Sequence, residues 1–468
     1  MFIYFLGIKG TGSAHLASLL SQSGARVEGE DVKEDFFTYP LYGGFQVNET
    51  GSPLPEDVDV VIYSAAFDKS LPSFIEAKRR GLPLFSYPEY LSYLSSLRPT
   101  YGISGTHGKT TTSAVATFLL SSAGIPFSSI YGSYLKGEDK ARFDVKGPLV
   151  VEACEYRDHY MLYHLHALLI NAVDFDHPDF FEDLEAVKAS FRKRAESVEQ
   201  NGMVFINTTE GNVSQILDEV KLKRPDLNVF TFGFSGNPDF LLTKGYCGIS
   251  VSHLPSTAVE IAEKEEHILS DYLGAALVAS AIAAEAKGEK VTFDSLSAEL
   301  STIFPRVVRF PGVASRSEVV AQKNGITYVD EYAHHPKEIE VSLASLKKRY
   351  PGRRLVVFFM PHTRSRTKAL FDRFVKALSK APVLVIEHTY AARRDGGYED
   401  TTAEELEKAL EKLSFRHFAH SSNMVFYSKD ADTSLAIASS ILTEGDVFVT
   451  MGAGDNRKLI RLLTEDVN

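Results

Sequence analysis

One stretch constrains this chain more than any other: Ser104-Gly105-Thr106-His107-Gly108-Lys109-Thr110-Thr111-Thr112. It follows a short apolar run ending at Ile103. It precedes Ala114-Val115-Ala116-Thr117-Phe118-Leu119-Leu120, which reads as the buried face of a helix. A strand, a glycine turn and a helix start, in that order, make a phosphate cradle. Glycines let backbone N–H groups approach phosphate oxygens, and the helix N-terminus adds positive potential. Lys109 supplies a cation, and the Thr110 hydroxyl is a ligand type suited to Mg²⁺. The usual loop carries a glycine five residues before the glycine of its Gly-Lys pair. That position here is Ile103, so the pattern is Gly-Thr-His-Gly-Lys-Thr-Thr.

A phosphate loop needs a sheet around it, and 468 residues are enough for several. Two to four domains are expected at this length. The hydrophobic share of 44% and charged share of 24% are those of a water-soluble globular protein. The net charge of −11 excludes generic nucleic-acid binding but not a local anion site. Cys154 and Cys247 have no paired spacing, which implies a reducing compartment without a disulfide framework. The stretch Met1 to Gly7 lacks the basic start of a signal peptide. No uninterrupted apolar run approaches ~20 residues, so no membrane insertion is expected. A cytoplasmic protein, monomeric or homodimeric, is the expectation.

Taken in order, Phe2 to Leu6 is a short apolar strand running into Gly7-Ile8-Lys9-Gly10-Thr11-Gly12-Ser13. A helical pattern follows through Leu16, Leu19 and Leu20. A second strand, Ala25 to Gly29, ends at Glu30-Asp31. This is a βαβ unit opening with a phosphate-type turn. Its glycines fit Gly-x-x-Gly-x-Gly and not Gly-x-Gly-x-x-Gly. That points to a nucleotide or diphosphate and away from NAD. Val58 to Ser64 is a further buried strand, ending in the small polar loop Ser64-Ala65-Ala66. The unit closes near Arg98-Pro99.

The second unit begins with the phosphate loop. Pro148 to Glu155 reads as a buried strand ending in Glu152 and Glu155. Ala167 to Asn171 is another, followed by Asp174-Phe175-Asp176-His177-Pro178-Asp179. Mg²⁺ prefers hard oxygen ligands, so Glu152 suits it. His177, on composition alone, reads as a loop histidine, and His159, His164 and His166 as packing or surface residues. Val204 to Asn207 and Val229 to Gly233 are strands, and Ser270 to Ala284 is an Ala-rich core helix. A third unit starts after Pro311-Gly312. Its strands, Ile326 to Asp330, Arg354 to Phe359, Val383 to Ile386 and Val447 to Thr450, each lead into loops rich in His, Arg, Tyr and Gly. Such loops suit clamping of carboxylate and phosphate. The fold class is therefore α/β in three domains with parallel-rich sheets: residues 1–98 Rossmann-like, 99–312 P-loop-ATPase-like, and 313–468 Rossmann-like. ATP plus two other reactants suggests a ligase or kinase assembled between domains.

The motifs along the whole chain resemble those of the Mur ligase family. Gly7 to Gly12 with Asp31-Val32 and Asp35 to Thr38 is similar to the family's UDP-binding start. Gly105 to Thr112 resembles its ATP loop. Glu152 to Arg157 and Asp174 to Pro178 resemble its metal strands. Asp330 to Pro336, Pro361 to Thr367, Tyr390 to Arg393 and Gly452 to Asp455 resemble its C-terminal substrate loops. The resemblance implies a ligase in which ATP phosphorylates the lactyl carboxylate of UDP-N-acetylmuramate and L-alanine attacks the acyl phosphate. It implies UDP-substrate contacts at Gly10, Thr11, Gly12, Ser13, Asp31, Ser64 and Glu155. It implies ATP contacts at Gly105, Thr106, His107, Gly108, Lys109, Thr110, Thr111, His267 and Arg309. Thr110, Glu152 and His177 would hold Mg²⁺, two ions in all. Lys109, His177, His334, Arg364 and Arg366 would serve the reaction, with Tyr332, His335, His362 and Arg364 around the acyl phosphate and amino acid. The chain departs from the family's Gly-x-His-Asn-x-x-Asn stretch, where asparagines lie near adenine: His267 is kept, but Ile268 and Asp271 replace them. Alternatives of the same resemblance are a peptide-recycling ligase and a nucleotide-binding cell-wall protein of reduced activity.

Overall fold

Runs such as Phe2–Leu6, Ala167–Ile170 and Leu355–Phe359 are buried along their whole length. Strands of that kind need cover on both faces, and parallel sheets with flanking helices provide it. The computed structural model describes residues 1–465 except 66, 210, 246–247, 253, 255–258, 262–264, 391–401, 417–423 and 455. Cys247, Arg393, Arg394 and Asp455 thus lie outside the described residues. Two units are formed: Met1–Phe175 with Phe180–Val313, and Asp176–Asp179 with Ala314–Asn468.

The first unit holds two sheets. One has five parallel strands in the order Gln46–Glu49, Arg26–Asp31, Phe2–Leu6, Val60–Tyr63, Leu84–Ser86. The strand order reverses beside Phe2–Leu6, and such a switch point leaves a crevice at the carboxyl ends where ligands bind. The other sheet has eight strands, and the strand Thr100–Ser104 lies between Ala167–Ile170 and Leu149–Glu152 near its centre. Its far edge is an antiparallel pair, Phe240–Gly245 with Gly248–Val251. The two sheets are joined through the helix Thr11–Gln22. There the buried His15 donates Nδ1–H to the Ser133 carbonyl at 2.9 Å and packs on Tyr131. Burial pushes the His15 imidazole down to about 4, so it stays neutral.

The Ala-rich helix spans Glu266–Ala286 and packs on the helix Lys109–Ala123. By length and hydropathy it could cross a membrane, although polar residues such as Ser270, Asp271 and Ser280 interrupt its apolar run. Its apolar window is 83% buried inside the protein, so its apolar face is spent on the core. Small side chains explain the close packing; Gly274 lies against Phe232 and Leu169, where a Cβ would come within 2.8 Å. The second unit has a six-stranded sheet in the order Glu318–Lys323, Ile326–Glu331, Val447–Met451, Leu355–Phe359, Val383–Glu387, Met424–Ser428. All pairs are parallel except the edge pair Glu318–Lys323 with Ile326–Glu331. The Arg457 guanidinium ties Glu318 at 3.0 Å and Asp330 at 3.3 Å, fixing that edge.

A polar cluster sits where the strand Thr100–Ser104 begins. His166 Nε2 meets Glu285 at 2.7 Å, Tyr101 hydrogen-bonds the same carboxylate, and Glu199 lies 3.6 Å from His166 Nδ1. The hydrogen bond to Glu285 raises the His166 pKa against a smaller opposing burial effect. A raised histidine stabilises the fold fully below its unfolded value near 6.5, and that contribution is lost as pH rises through the folded value. We therefore expect the melting-temperature gap between the protein and His166→Gln to be wider at about pH 6 than at about pH 9. An equal gap at both would rule this ion pair out as a source of stability.

Candidate active site

The phosphate loop is shaped by two glycines. Gly105 has φ +139, and a Cβ there would stand 3.0 Å from the Ala172 backbone nitrogen. Gly108 has φ +81, and a Cβ there would come within 2.4 Å of an Asp271 carboxylate oxygen. Both positions therefore exclude side chains. The loop is pinned to the neighbouring strand by Thr106 N–H on the Ala172 carbonyl at 2.8 Å and Thr106 Oγ1 on the Asp174 carbonyl at 3.1 Å. His107 is half-buried, its Nε2 3.9 Å from the Asp174 carboxylate. Lys109 opens the helix Lys109–Ala123, whose first turn has no acidic residue. Thr111 follows it on the same turn.

Lys109 Nζ donates to the Gly105 carbonyl at 2.5 Å and to Glu155 Oε2 at 2.9 Å. Burial alone would lower the ammonium's pKa. The Glu155 carboxylate, with Cys154 and Glu152, outweighs it and holds Lys109 above its ordinary value. Glu155 is itself 1% exposed, so this is a buried pair. Glu155 thus lies on the phosphate-loop lysine. Beside it, Thr110 Oγ1 donates to Glu152 Oε2 at 3.0 Å, and the Gly132 N–H reaches the same oxygen at 2.8 Å. A hydroxyl and a carboxylate facing each other next to a phosphate cradle are the hard oxygen donors Mg²⁺ takes. Burial, ahead of the negative neighbours, pushes the adjacent Cys154 thiol up to about 12, which leaves it unreactive.

Asp271 lies on the helix Glu266–Ala286, one turn beyond the half-buried His267. The resemblance placed Asp271 where adenine is read, and the structure sets its carboxylate directly against Gly108. Arg309 is exposed at the end of the short 3₁₀ stretch Phe304–Arg309.

At the other turn of the first unit, Gly7 has φ +88 and packs against Ser64, and the Ser64 N–H donates to the Leu6 carbonyl. Gly10 precedes the helix Thr11–Gln22, and Thr11, Gly12 and Ser13 form its first turn, without an acidic residue or a side-chain cap. The Asp31 carboxylate accepts the N–H groups of Lys9 at 2.8 Å and Val32 at 2.8 Å. The Lys9 ammonium sits on the Glu34 carbonyl at 2.8 Å and on Asp35 at 3.1 Å. Gly10, Thr11, Gly12, Ser13, Asp31 and Ser64 thus share the carboxyl edge of one sheet.

In the second unit the loops after the strands Ile326–Glu331 and Leu355–Phe359 bring His334, His362 and Arg366 together. His334 Nδ1 donates to the Tyr332 carbonyl at 3.0 Å, which leaves Nε2 as an acceptor. Burial first, helped by Arg366 and His362, lowers His334 to about 3. Burial and Arg366 lower His362 to about 4. Both rings are neutral near pH 7. His335 is 1% exposed and caps the helix Pro336–Arg349, accepting the Lys337 N–H at 3.3 Å. Tyr332 lies under the Arg316 guanidinium, 4.9 Å from its ring centroid. Arg364 is half-buried at the start of its helix.

Arg366 is buried and grips Asp176 with Nε at 2.9 Å and Nη2 at 3.3 Å. Although burial opposes ionisation, Arg366 and the nearby histidines hold the Asp176 carboxyl far below the usual range. His177, next in the chain, has φ +54 and keeps Nε2 3.8 Å from that carboxylate. The sequence marks Asp176 only as part of the stretch Asp174 to Pro178 and gives no sign of Gly132. The acid pairs with a residue 190 positions away, and a backbone N–H leaves no compositional signal. A buried pair broken from one side costs about 3 kcal/mol. Asp176→Asn and Arg366→Met should each destabilise by about that amount, and the double variant by clearly less than the sum. Chemical denaturation checks this; additive costs would mean that the pair carries no coupling.

Three family profiles match the chain: "Mur ligase family, catalytic domain" at residues 2–98, "Mur ligase middle domain" at 103–286 and "Mur ligase, glutamate ligase domain" at 315–454. A UDP-N-acetylmuramate–L-alanine ligase of Borrelia garinii subsp. bavariensis is 33% identical over 471 residues, covering 97% of this chain and 96% of the relative. The ligase of that name from Treponema pallidum subsp. pallidum is 32% identical, covering 98% and 95%. The crystal structure of UDP-N-acetylmuramate-alanine ligase from Thermotoga maritima has a TM-score of 0.72 at 20% identity, covering 99% of each chain. A murein peptide ligase from Psychrobacter arcticus has 0.70 at 20% identity, with full coverage of both.

Proposed function

This chain belongs to the Mur ligase family, and we propose that it joins L-alanine to the lactyl carboxylate of UDP-N-acetylmuramate at the expense of ATP, in peptidoglycan precursor synthesis. The observation that carries this reading is the full-length similarity to alanine-adding ligases together with Lys109 and Thr110 set beside paired glutamates. A carboxylate is a poor electrophile because oxide would have to leave. Transfer of the ATP γ-phosphoryl group to a carboxylate oxygen gives an acyl phosphate. The amino group of alanine then attacks the carbonyl carbon, the C–O bond to phosphate breaks, and an amide, ADP and inorganic phosphate result.

The residues suit this sequence of steps. Gly105, Thr106, His107, Gly108 and Thr111 shape the cradle, and Lys109 neutralises charge on the β/γ-phosphates. Thr110 and Glu152 would hold one Mg²⁺ and His177 would serve a second, and such ions would neutralise phosphate charge. His267 and Arg309 would serve the remainder of ATP. Gly10, Thr11, Gly12, Ser13, Asp31 and Ser64 would take the UDP part. His334, neutral and with Nε2 unprotonated, would accept a hydrogen bond from the attacking amine, with the neutral His362 ring beside it. Arg364 is our choice for the alanine carboxylate, because Arg366 is committed to Asp176. Cytoplasmic location follows from the substrates, and 1–98, 99–312 and 313–468 are our division into UDP-substrate, ATP and amino-acid domains.

ADP release should depend on UDP-N-acetylmuramate and on L-alanine, and glycine, L-serine or a peptide should support it poorly. Release that requires the peptide would replace this reading with recycling; none with any amine would refute ligation. Lys109→Ala should lower turnover by about 100-fold or more. A Lys109→Ala protein of full activity would remove the phosphate cradle from the mechanism.

A further inference from the structure

Gly12 has no backbone reason to be glycine. Its φ is not positive and it lies in the first turn of the helix Thr11–Gln22. The space where a side chain would stand is filled by Tyr87. A Cβ built on Gly12 would stand 2.6 Å from both the ring carbon Cζ and the hydroxyl oxygen of Tyr87. Glycine is required here so that this phenol can lie against the helix start.

The ring is placed by the capped helix it opens. Tyr87 is the first residue of the helix Tyr87–Ser96, with Pro88 behind it. Ser86 caps that helix, accepting the Glu89 N–H while the Glu89 carboxylate takes the Ser86 N–H at 2.7 Å. The hydroxyl, by contrast, has no hydrogen-bond acceptor among the described residues; its surroundings act on it only through burial and the nearby Tyr163, Glu152 and Cys154. Those influences push the phenol well above its ordinary value of 10.0, so it remains a proton donor at any working pH. A hydroxyl that can only gain by donating thus stands beside a helix start with no side-chain cap and no acidic residue in its first turn. Both features favour an anionic oxygen in the same place.

We infer that the Tyr87 hydroxyl donates a hydrogen bond to a diphosphate oxygen of the uridine substrate bound at the first turn of the helix Thr11–Gln22. This rests on the ligase reading above. Tyr87 is then a binding residue. Its ring selects glycine at position 12, and its hydroxyl completes an anion site that the backbone amides of Thr11, Gly12 and Ser13 begin. A ring that served packing alone would work equally well as phenylalanine.

Tyr87→Phe removes one oxygen and keeps the ring, so the variant separates the two roles. The probes are UDP, UDP-N-acetylmuramate and ADP, titrated calorimetrically into the full chain and the variant. A hydrogen bond to a charged oxygen should weaken both uridine ligands by about tenfold or more in Tyr87→Phe. ADP affinity and melting temperature should be unchanged. Full UDP affinity in the variant would overturn the inference and leave the ligase reading intact. Failure of the unsubstituted protein to bind UDP-N-acetylmuramate would overturn the ligase reading, and this inference with it.

Discussion

The site depends on how closely three chain segments meet at the phosphate loop. Gly105 presses against the backbone at Ala172, and Gly108 against the carboxylate of Asp271. With side chains at either position, the strand Thr100–Ser104 could not turn into the helix Lys109–Ala123 at this distance. Close packing brings Lys109 into a buried setting, where a lone ammonium would be costly. Glu155 and the Gly105 carbonyl offset that cost. The lysine is charged because of its neighbours, and a phosphate arriving there meets a cation already stripped of most of its water.

The same economy of charge recurs in the second unit. Asp176 and Arg366 neutralise one another in a buried pair, and His334 and His362 lie beside it as neutral rings. An arginine next to each imidazole discourages its protonation. A ring kept neutral in this way keeps an unprotonated nitrogen, which can accept a hydrogen bond. Glu331 shows the structural counterpart: its carboxylate accepts from Ser317, Ala333 and Ser342, holding the loop that carries His334.

Features that depend on neighbours in sequence were legible in advance. The buried strands, the glycine turns and the order of the loops all follow from short apolar runs and their punctuation. Edge strands such as Gln46–Glu49 and Glu318–Lys323 were not visible, because polar residues flank at most three apolar ones and no residue of either strand is fully buried. Roles fixed by distant partners were equally hidden. His335 carries a helix cap on Nδ1 that the residue type does not announce. Arg366 looked available for a carboxylate and holds Asp176. Gly12 has the diphosphate-turn pattern, and the Tyr87 ring against it adds a packing reason for glycine that the pattern does not show. In each case the residue type announces the chemistry it is capable of, while its distant neighbours appear only in the folded chain.

If phosphate activates the acid, an oxygen atom must pass from the lactyl carboxylate to phosphate when the amide forms. Oxygen-18 placed in that carboxylate therefore follows the chemistry directly. With ATP, Mg²⁺ and L-alanine present, the account predicts that each phosphate released carries an oxygen from the labelled carboxylate, as read by mass spectrometry. Phosphate released without label while the amide accumulates would contradict an acyl phosphate, and with it the account of this site.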